Sequence, residues 1–190
     1  MKRYTLFAGV NGSGKTSIYK SVFFNEDYIG KRINTDEMVA RIGSWQDNNL
    51  QIKVAREAVK MINYYINNEI SFHQETTLSG KSILTNISKA KEKGFYVVMN
   101  YIGVKNSEIA KERVKIRVSK GGHGIPDDVI EKRYSNSLIN LEEAIKICDE
   151  VNIYDNTHEF IELINIKSGK LIWKNNIMQE WAKTILEYLN

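Results

Sequence analysis

One cysteine, one proline and no long uncharged apolar run set the first limits on this 190-residue sequence. Cys148 alone cannot close an internal disulfide, and no Cys/His cluster is spaced to hold zinc, so disulfide scaffolds and zinc folds are excluded. A reducing cytoplasmic setting is expected. Without some 20 consecutive apolar residues no membrane-spanning helix is expected. Met1-Lys2-Arg3 leads directly into a strand-like segment, with no signal-peptide cleavage region. No Pro/Ser-rich linker, internal repeat or low-complexity tract divides the chain, which predicts a single domain over residues 1–190. The 42% apolar and 26% charged content excludes a collagen-like or wholly disordered chain. A chain of this size buries roughly 70% of its unfolded surface and needs no covalent staple.

Charge is nearly balanced, with 27 Lys and Arg against 23 Asp and Glu, for a formal net charge of +4. The excess is local. Lys105, Lys111, Arg113, Lys115, Arg117 and Lys120 face only Glu108 and Glu112 within their segment, and the remaining charges cancel. A smeared positive charge would suggest nucleic acid or anionic lipid, whereas one block suggests a small polyanion bound at one site. A basic helix face for nucleic acid, or a merely solvated face, remains open at this stage.

Apolar spacing predicts alternating strands and helices. Strands are expected at Tyr4–Gly9, Tyr28–Asn34, Ile70–Glu75, Phe95–Ile102 and Val151–Tyr154. Phe160–Ile166 and Lys170–Trp173 should pair as a hairpin about Ser168-Gly169. Helices are expected at Lys15–Phe24, Asp36–Ile42, Asn48–Asn67, Lys81–Lys93, Ser107–Ser119 with a serine N-cap, Asp127–Cys148 and Met178–Leu189. Gly121-Gly122-His123-Gly124-Ile125-Pro126 reads as a loop. This alternation predicts an α/β fold, three-layered, with a mainly parallel sheet and ligands at the carboxyl ends of its strands. Trp45, Trp173 and Trp181 are expected to pack against the core.

Gly9-Val10-Asn11-Gly12-Ser13-Gly14-Lys15-Thr16 matches G-x-x-x-x-G-K-[ST], the phosphate-binding P-loop, with a strand before it and a helix after it. Average residue frequencies produce such a match by chance in about one chain of this length in a hundred. Glycines let backbone N–H groups curl around phosphate oxygens at a positive helix N-terminus. Asn11, Gly12, Ser13, Gly14, Lys15, Thr16 and Ser17 are therefore the candidate ATP-binding residues. Lys15 would reach the β/γ-phosphates and the Thr16 hydroxyl would hold Mg²⁺.

The fate of the γ-phosphate is narrowed by what else is present. No N-K-x-D motif supports a GTPase, and Leu78-Ser79-Gly80-Lys81 only superficially resembles a transporter ATPase signature. The strand Phe95–Ile102 ends without an acid, so a conventional second Mg²⁺ carboxylate is missing. A small-molecule kinase needs a base near the acceptor hydroxyl and a cationic lid over the phosphate. Asp36, just after the second strand, is the candidate base and could bind a magnesium-bound water, or else it caps the next helix. Glu75, Thr76 and Thr77 at a strand end suit a hydroxyl-rich acceptor, though one threonine could cap a helix. Arg113 and Arg117, four residues apart, share a helix face. With His123 and Arg133 they form a candidate lid over about residues 105–135. Arg133-Tyr134 could equally pack against the sheet.

The P-loop, Asn34-Thr35-Asp36, Glu75-Thr76, the arginine-bearing stretch before Gly121-Gly122-His123, Tyr134–Leu141 and Tyr154-Asp155-Asn156 together resemble the zeta-toxin family. The similarity runs from about Tyr4 to Asn156. It implies a P-loop kinase fold and ATP/Mg²⁺-dependent phosphorylation of a sugar nucleotide, UDP-N-acetylglucosamine in the better-known members. By that resemblance Lys15 and Thr16 serve the nucleotide, Asp36 is the base, Glu75 contacts the acceptor and Arg113 is the first catalytic arginine. The family's second lid arginine falls near His123, so Arg117 or His123 takes its place. An antitoxin partner is implied by analogy. Two other readings stay open: a nucleotide-binding regulatory module without transfer, and a polynucleotide 5′-hydroxyl kinase, for which no aromatic-interleaved basic groove is visible. The late hairpin and final helix carry no functional reading.

Overall fold

Alternate residues of the first strand divide between two faces of a sheet. In β1 (Arg3–Ala8), Tyr4, Leu6 and Ala8 join the main core, while Phe7 meets the Tyr19 ring edge-on across the opposite face at 5.6 Å. The computed structural model describes residues 1–23 and 30–189. Its strands are β1, β2 (Lys31–Ile33), β3 (Phe72–Thr76), β4 (Tyr96–Gly103), β5 (Glu150–Asp155), β6 (Ile161–Lys167) and β7 (Lys170–Lys174). They form one sheet in the order β2-β3-β1-β4-β5-β6-β7. The first five in that order run parallel, and β6 and β7 are antiparallel. The expected mainly parallel α/β sheet with a C-terminal hairpin is thus present. Ser168 and Gly169 both have positive φ, 49° and 71°, as a two-residue hairpin turn requires.

The helices are α1 (Lys15–Ile18), α2 (Thr35–Ala40), α3 (Asn48–Asn67), α4 (Ser82–Glu92), α5 (Ser107–Ser119), α6 (Asp127–Ile147) and α7 (Glu180–Leu189). Residues from α3, α4, α6 and α7 pack with the sheet in the main core, and α1 carries Tyr19 to the other face. A smaller cluster of Val10, Val104, Ala110, Val114 and Ile130 ties α5 and α6 directly to the P-loop. Chain order reverses about β1, whose neighbours are β3 and β4. The loop after β1 therefore opens into the crevice where α/β sheets bind ligands.

Several local expectations are corrected. The helix predicted over Lys15–Phe24 is α-helical only to Ile18 and continues as a π-helical turn, Tyr19–Phe23, while Phe24 and the Tyr28–Ile29 start of the second strand lie outside the described residues. Asn106, not Ser107, caps α5, its Oδ1 accepting the Ile109 N–H at 3.1 Å. Only Trp181 is a core tryptophan. Trp173 is 46% exposed on edge strand β7, and Trp45 is half-buried beside His123.

Candidate active site

The P-loop is held open by close approaches from three sides. A Cβ on Gly9 would lie 2.2 Å from the Ile102 carbonyl oxygen, and one on Gly12 would lie 2.5 Å from that of Ala110. One on Gly14 would lie 2.3 Å from the Asn156 amide nitrogen, and all three glycines have positive φ. At Gly9 and Gly12 side chains are excluded both by backbone neighbours and by conformation, and at Gly14 by its positive φ, since the Asn156 side chain could move aside. The resulting cavity, about 740 Å³, is lined by Asn11, Gly12, Gly14, Lys15, Thr16 and Ser17. Ser13 is fully buried, and its hydroxyl finds no partner among the described residues.

The cavity is also lined by residues that no motif announced, Val39 of α2, Gln51, Val54 and Ala55 of α3, Gln74 of β3 and Ile125. The same cavity takes in Asp36, Glu75, Thr76, Thr77, Arg113, Arg117, His123 and Arg133. Every expected site residue except Ser13 therefore lines one cavity.

Their bonding sorts them. Lys15 Nζ donates to the carbonyls of Gly9 and Val10 at 2.8 and 2.9 Å. Burial pushes its pKa down to about 8, against the opposing pull of Glu75 and Asp36. Thr16 Oγ1 donates to one oxygen of Glu75 at 2.7 Å, and Arg32 holds the other at 2.5 Å. Arg32 also chelates Glu37 and lies 3.8 Å over the Tyr19 ring. No role was expected for Arg32. Its signal in the sequence was a guanidinium inside a strand flanked by an acid five residues on.

Asp36 is free of the capping role. Asn34 caps α2, its Oδ1 accepting the Glu37 N–H, so the Asp36 carboxylate faces the cavity. Arg117 Nη1 and His123 Nε2 each lie 3.9 Å from it. His123 titrates below the ordinary histidine range, chiefly because it is buried, with Arg117 and Arg133 adding to the effect against Asp36. The shift favours the neutral imidazole. Thr76 does partly serve structure, since its Oγ1 accepts the Leu78 N–H at 3.0 Å. Thr77 pairs with Ser79 at 2.8 Å, and Arg133 Nη1 donates to the Asn11 side chain at 2.9 Å.

The basic block is largely accounted for. Lys111 is buried and bonded to Glu108 and Glu131, which hold its pKa above the ordinary lysine range, and Lys115 pairs with Asp127. Arg113 donates to the backbone carbonyls of Asn156 and Thr157 at 2.7 and 2.9 Å. Arg117 differs, its Nε and Nη2 buried with no partner among the described residues. The α5 helix ends there in a Schellman turn, with Gly121 N–H to Val118 O and Gly122 N–H to Arg117 O, and Gly121 at φ 81°.

These residues fit a nucleotide and Mg²⁺. Four cations, Lys15, Arg113, Arg117 and Arg133, meet two acids, Asp36 and Glu75, in one cavity, an excess suited to a polyphosphate. The Thr16 hydroxyl with Glu75, and Asp36 across the cavity, supply hard oxygen donors, and Mg²⁺ is commonly held by one or two carboxylates plus phosphate.

The chain is similar to known proteins in sequence and in fold. The sequence model of the family described as Zeta toxin matches residues 2–168. An uncharacterized protein of Haemophilus influenzae is 38% identical over 128 residues, which are 67% of this chain and 89% of that protein. The structures of AvrRxo1-ORF1:AvrRxo1-ORF2 with sulphate ions and with ATP share the fold at TM-scores of 0.73 and 0.72, with 16% and 15% identity. They match all of this chain, which spans 64% of the length of theirs. The PezAT toxin–antitoxin structure of Streptococcus pneumoniae matches at a TM-score of 0.63 and 14% identity, over 85% of this chain and 71% of its own.

Proposed function

This chain belongs to the zeta-toxin family, and on that premise we propose that it transfers the γ-phosphoryl group of ATP to a hydroxyl of a small acceptor. The observation that carries the reading is the placement of Asp36. It faces the P-loop cavity, uncommitted to any cap, in a long ion pair with Arg117 at 3.9 Å. ATP would lie with its phosphates on the Gly12–Ser17 backbone, and Lys15 would exchange its two carbonyl partners for phosphate oxygens. The acceptor hydroxyl gives its proton to the Asp36 carboxylate while its oxygen bonds to the γ-phosphorus, and the bond to the ADP oxygen breaks. Arg117, with two buried N–H groups unpaired, neutralises charge on the transferring group. His123, its neutral form favoured, contributes hydrogen bonding rather than charge. Mg²⁺, held by Thr16 with Glu75 or Asp36, would screen the β- and γ-oxygens.

The acceptor we propose is a sugar nucleotide such as UDP-N-acetylglucosamine, seated among Glu75, Thr77 and the α3 residues that line the cavity. The family resemblance and a cavity with room for more than a triphosphate support it. The stretch over about residues 105–135 acts as the lid. Ala110, Val114 and Ile130 anchor it by packing in one cluster with Val10 of the P-loop. ATP dependence and a lone buried thiol support a cytoplasmic setting, and an antitoxin partner is supported by kinship with the PezAT toxin–antitoxin system. No described helix is long and apolar enough to cross a membrane.

The test is incubation with ATP, Mg²⁺ and UDP-N-acetylglucosamine, followed by ³¹P NMR, beside Asp36→Asn. A new sugar-phosphate resonance is expected, reduced about 1,000-fold in rate in the variant while ATP binding persists. Full activity in Asp36→Asn would remove the base. ATP binding with no new resonance would redirect the search to other hydroxyls, a 5′-hydroxyl oligonucleotide among them, and failure there would leave the regulatory-module reading.

A further inference from the structure

The α7 helix lies beyond the residues that the family model matches, yet it is linked to the nucleotide site through hydrogen bonds to the Asp155–Thr157 turn. Trp181, 8% exposed, donates its Nε1–H to Asp155 Oδ1 at 2.8 Å. Asp155, 2% exposed at the end of β5, accepts the Thr157 hydroxyl at 2.7 Å and the Thr157 N–H at 3.1 Å. Thr157 Oγ1 in turn accepts the Lys105 N–H, from the segment leading into α5, at 2.9 Å.

This turn grips the phosphate site at three points. Asn156 Nδ2 donates to Ser13 O at 2.7 Å, directly over Gly14. Asn156 N–H donates to Gly103 O at 2.9 Å. The carbonyls of Asn156 and Thr157 hold both ends of the Arg113 guanidinium. Space is reserved at both ends of the series. A Cβ on Gly103 would lie 2.2 Å from the Trp181 ring, just as one on Gly14 would strike the Asn156 amide.

We infer that Trp181 is a positioning residue for the nucleotide site, fixing Asp155 and through it the Asn156–Thr157 turn that holds the P-loop and Arg113. The physical reason is the buried carboxylate. Asp155 is satisfied only while its donors are in place, so losing the indole N–H leaves a buried charge short of a partner. The turn relaxes toward other donors, and the Ser13 and Arg113 contacts shift with it. The inference rests on the ATP-binding reading above, and the experiment separates the two.

ATP affinity is measured with Mg²⁺ by titration calorimetry on the full chain, with melting temperature in parallel. Trp181→Phe removes the donor together with the outer part of the ring that covers Gly103, so melting temperature is read beside affinity, and about tenfold weaker ATP binding is expected, the scale of one buried hydrogen bond to a charged group. Asn156→Ala should weaken ATP comparably, and the double variant should lose little more, because both cut one series. Additive losses, or wild-type ATP affinity in a folded Trp181→Phe, would overturn the inference. If that variant does not fold, Thr157→Val, which cuts the series without touching α7, takes its place. It should show the same weakening, and wild-type affinity there would equally overturn it. A wild-type chain that binds no ATP would instead sink the nucleotide reading.

Discussion

Arg113 and Arg117 sit one turn apart on α5, yet the two halves of that helix live in different mechanical surroundings. The first half is bolted down. Ala110 and Val114 pack beneath the P-loop, Lys111 is locked by two glutamates, and Arg113 is spent on two backbone carbonyls. The second half ends in a glycine turn over the cavity, and Arg117 brings unpaired N–H groups toward Asp36. One residue type at helical spacing thus yields one guanidinium bonded to backbone carbonyls and one with buried N–H groups left unbonded among the described residues. A guanidinium whose donors are already satisfied adds little at the moment of transfer, whereas an unsatisfied one gains most when charge develops beside it.

Paired alanine substitutions break or sharpen this contrast most directly. Arg117→Ala should lower the rate of phosphoryl transfer about 100-fold or more, with little change in ATP affinity or melting temperature. Arg113→Ala should cost about 2 kcal/mol of stability, because it strips the donors from two carbonyls, and should weaken ATP through the displaced turn. Denaturant midpoints beside single-turnover rates decide it, and an exchange of the two phenotypes would reverse the assignment.

The residues lining the cavity differ in the same spirit, and a substitution on α3 probes that. Ala55→Phe crowds the motif-free lining without touching the P-loop. It should raise the acceptor KM about tenfold while ATP affinity holds steady. A matching loss of ATP affinity would show that the nucleotide extends across the whole cavity.

The smallest effect is a fraction of a proton. Lys15 titrates near 8 because burial penalises its charge, and a bound phosphate restores the incentive to be charged. ATP binding at pH 8 should therefore take up about half a proton, approaching one by pH 9 and none at pH 6. Calorimetry in buffers of different ionisation enthalpy measures this. Uptake confined to below pH 7 would point to His123 instead, whose pKa is lowered from the ordinary range.

Legibility followed the range of the interactions. The P-loop was readable because its chemistry is local: eight consecutive residues carry the glycines, the lysine and the threonine. Strand and helix positions were readable because apolar spacing reports a buried face, and most ends fell within two residues. Asp36 was readable as an acid at a strand end, but its freedom from capping depended on Asn34 taking that task. The roles of Arg32 and Asn156, the latter named only within a family motif, stayed hidden because their partners lie 43 and 143 residues away, at Glu75 and Ser13. The tryptophans misled because a large ring is buried only if the fold brings something to cover it. Edge strand β7 leaves Trp173 bare, and Trp45 covers a glycine of the loop.

The sequence by itself determined an α/β domain with a phosphate-binding turn and an acid poised near it, since each depends on residues a few positions apart. Only the tertiary structure decided which arginine is bonded to backbone carbonyls and which keeps unbonded N–H groups, which α3 residues line the cavity, and that the last described helix bonds to Asp155 beside the Asn156 turn. Those outcomes depend on which carbonyls and carboxylates arrive within 3 Å of a given donor, and strand order, not local spacing, brings them there.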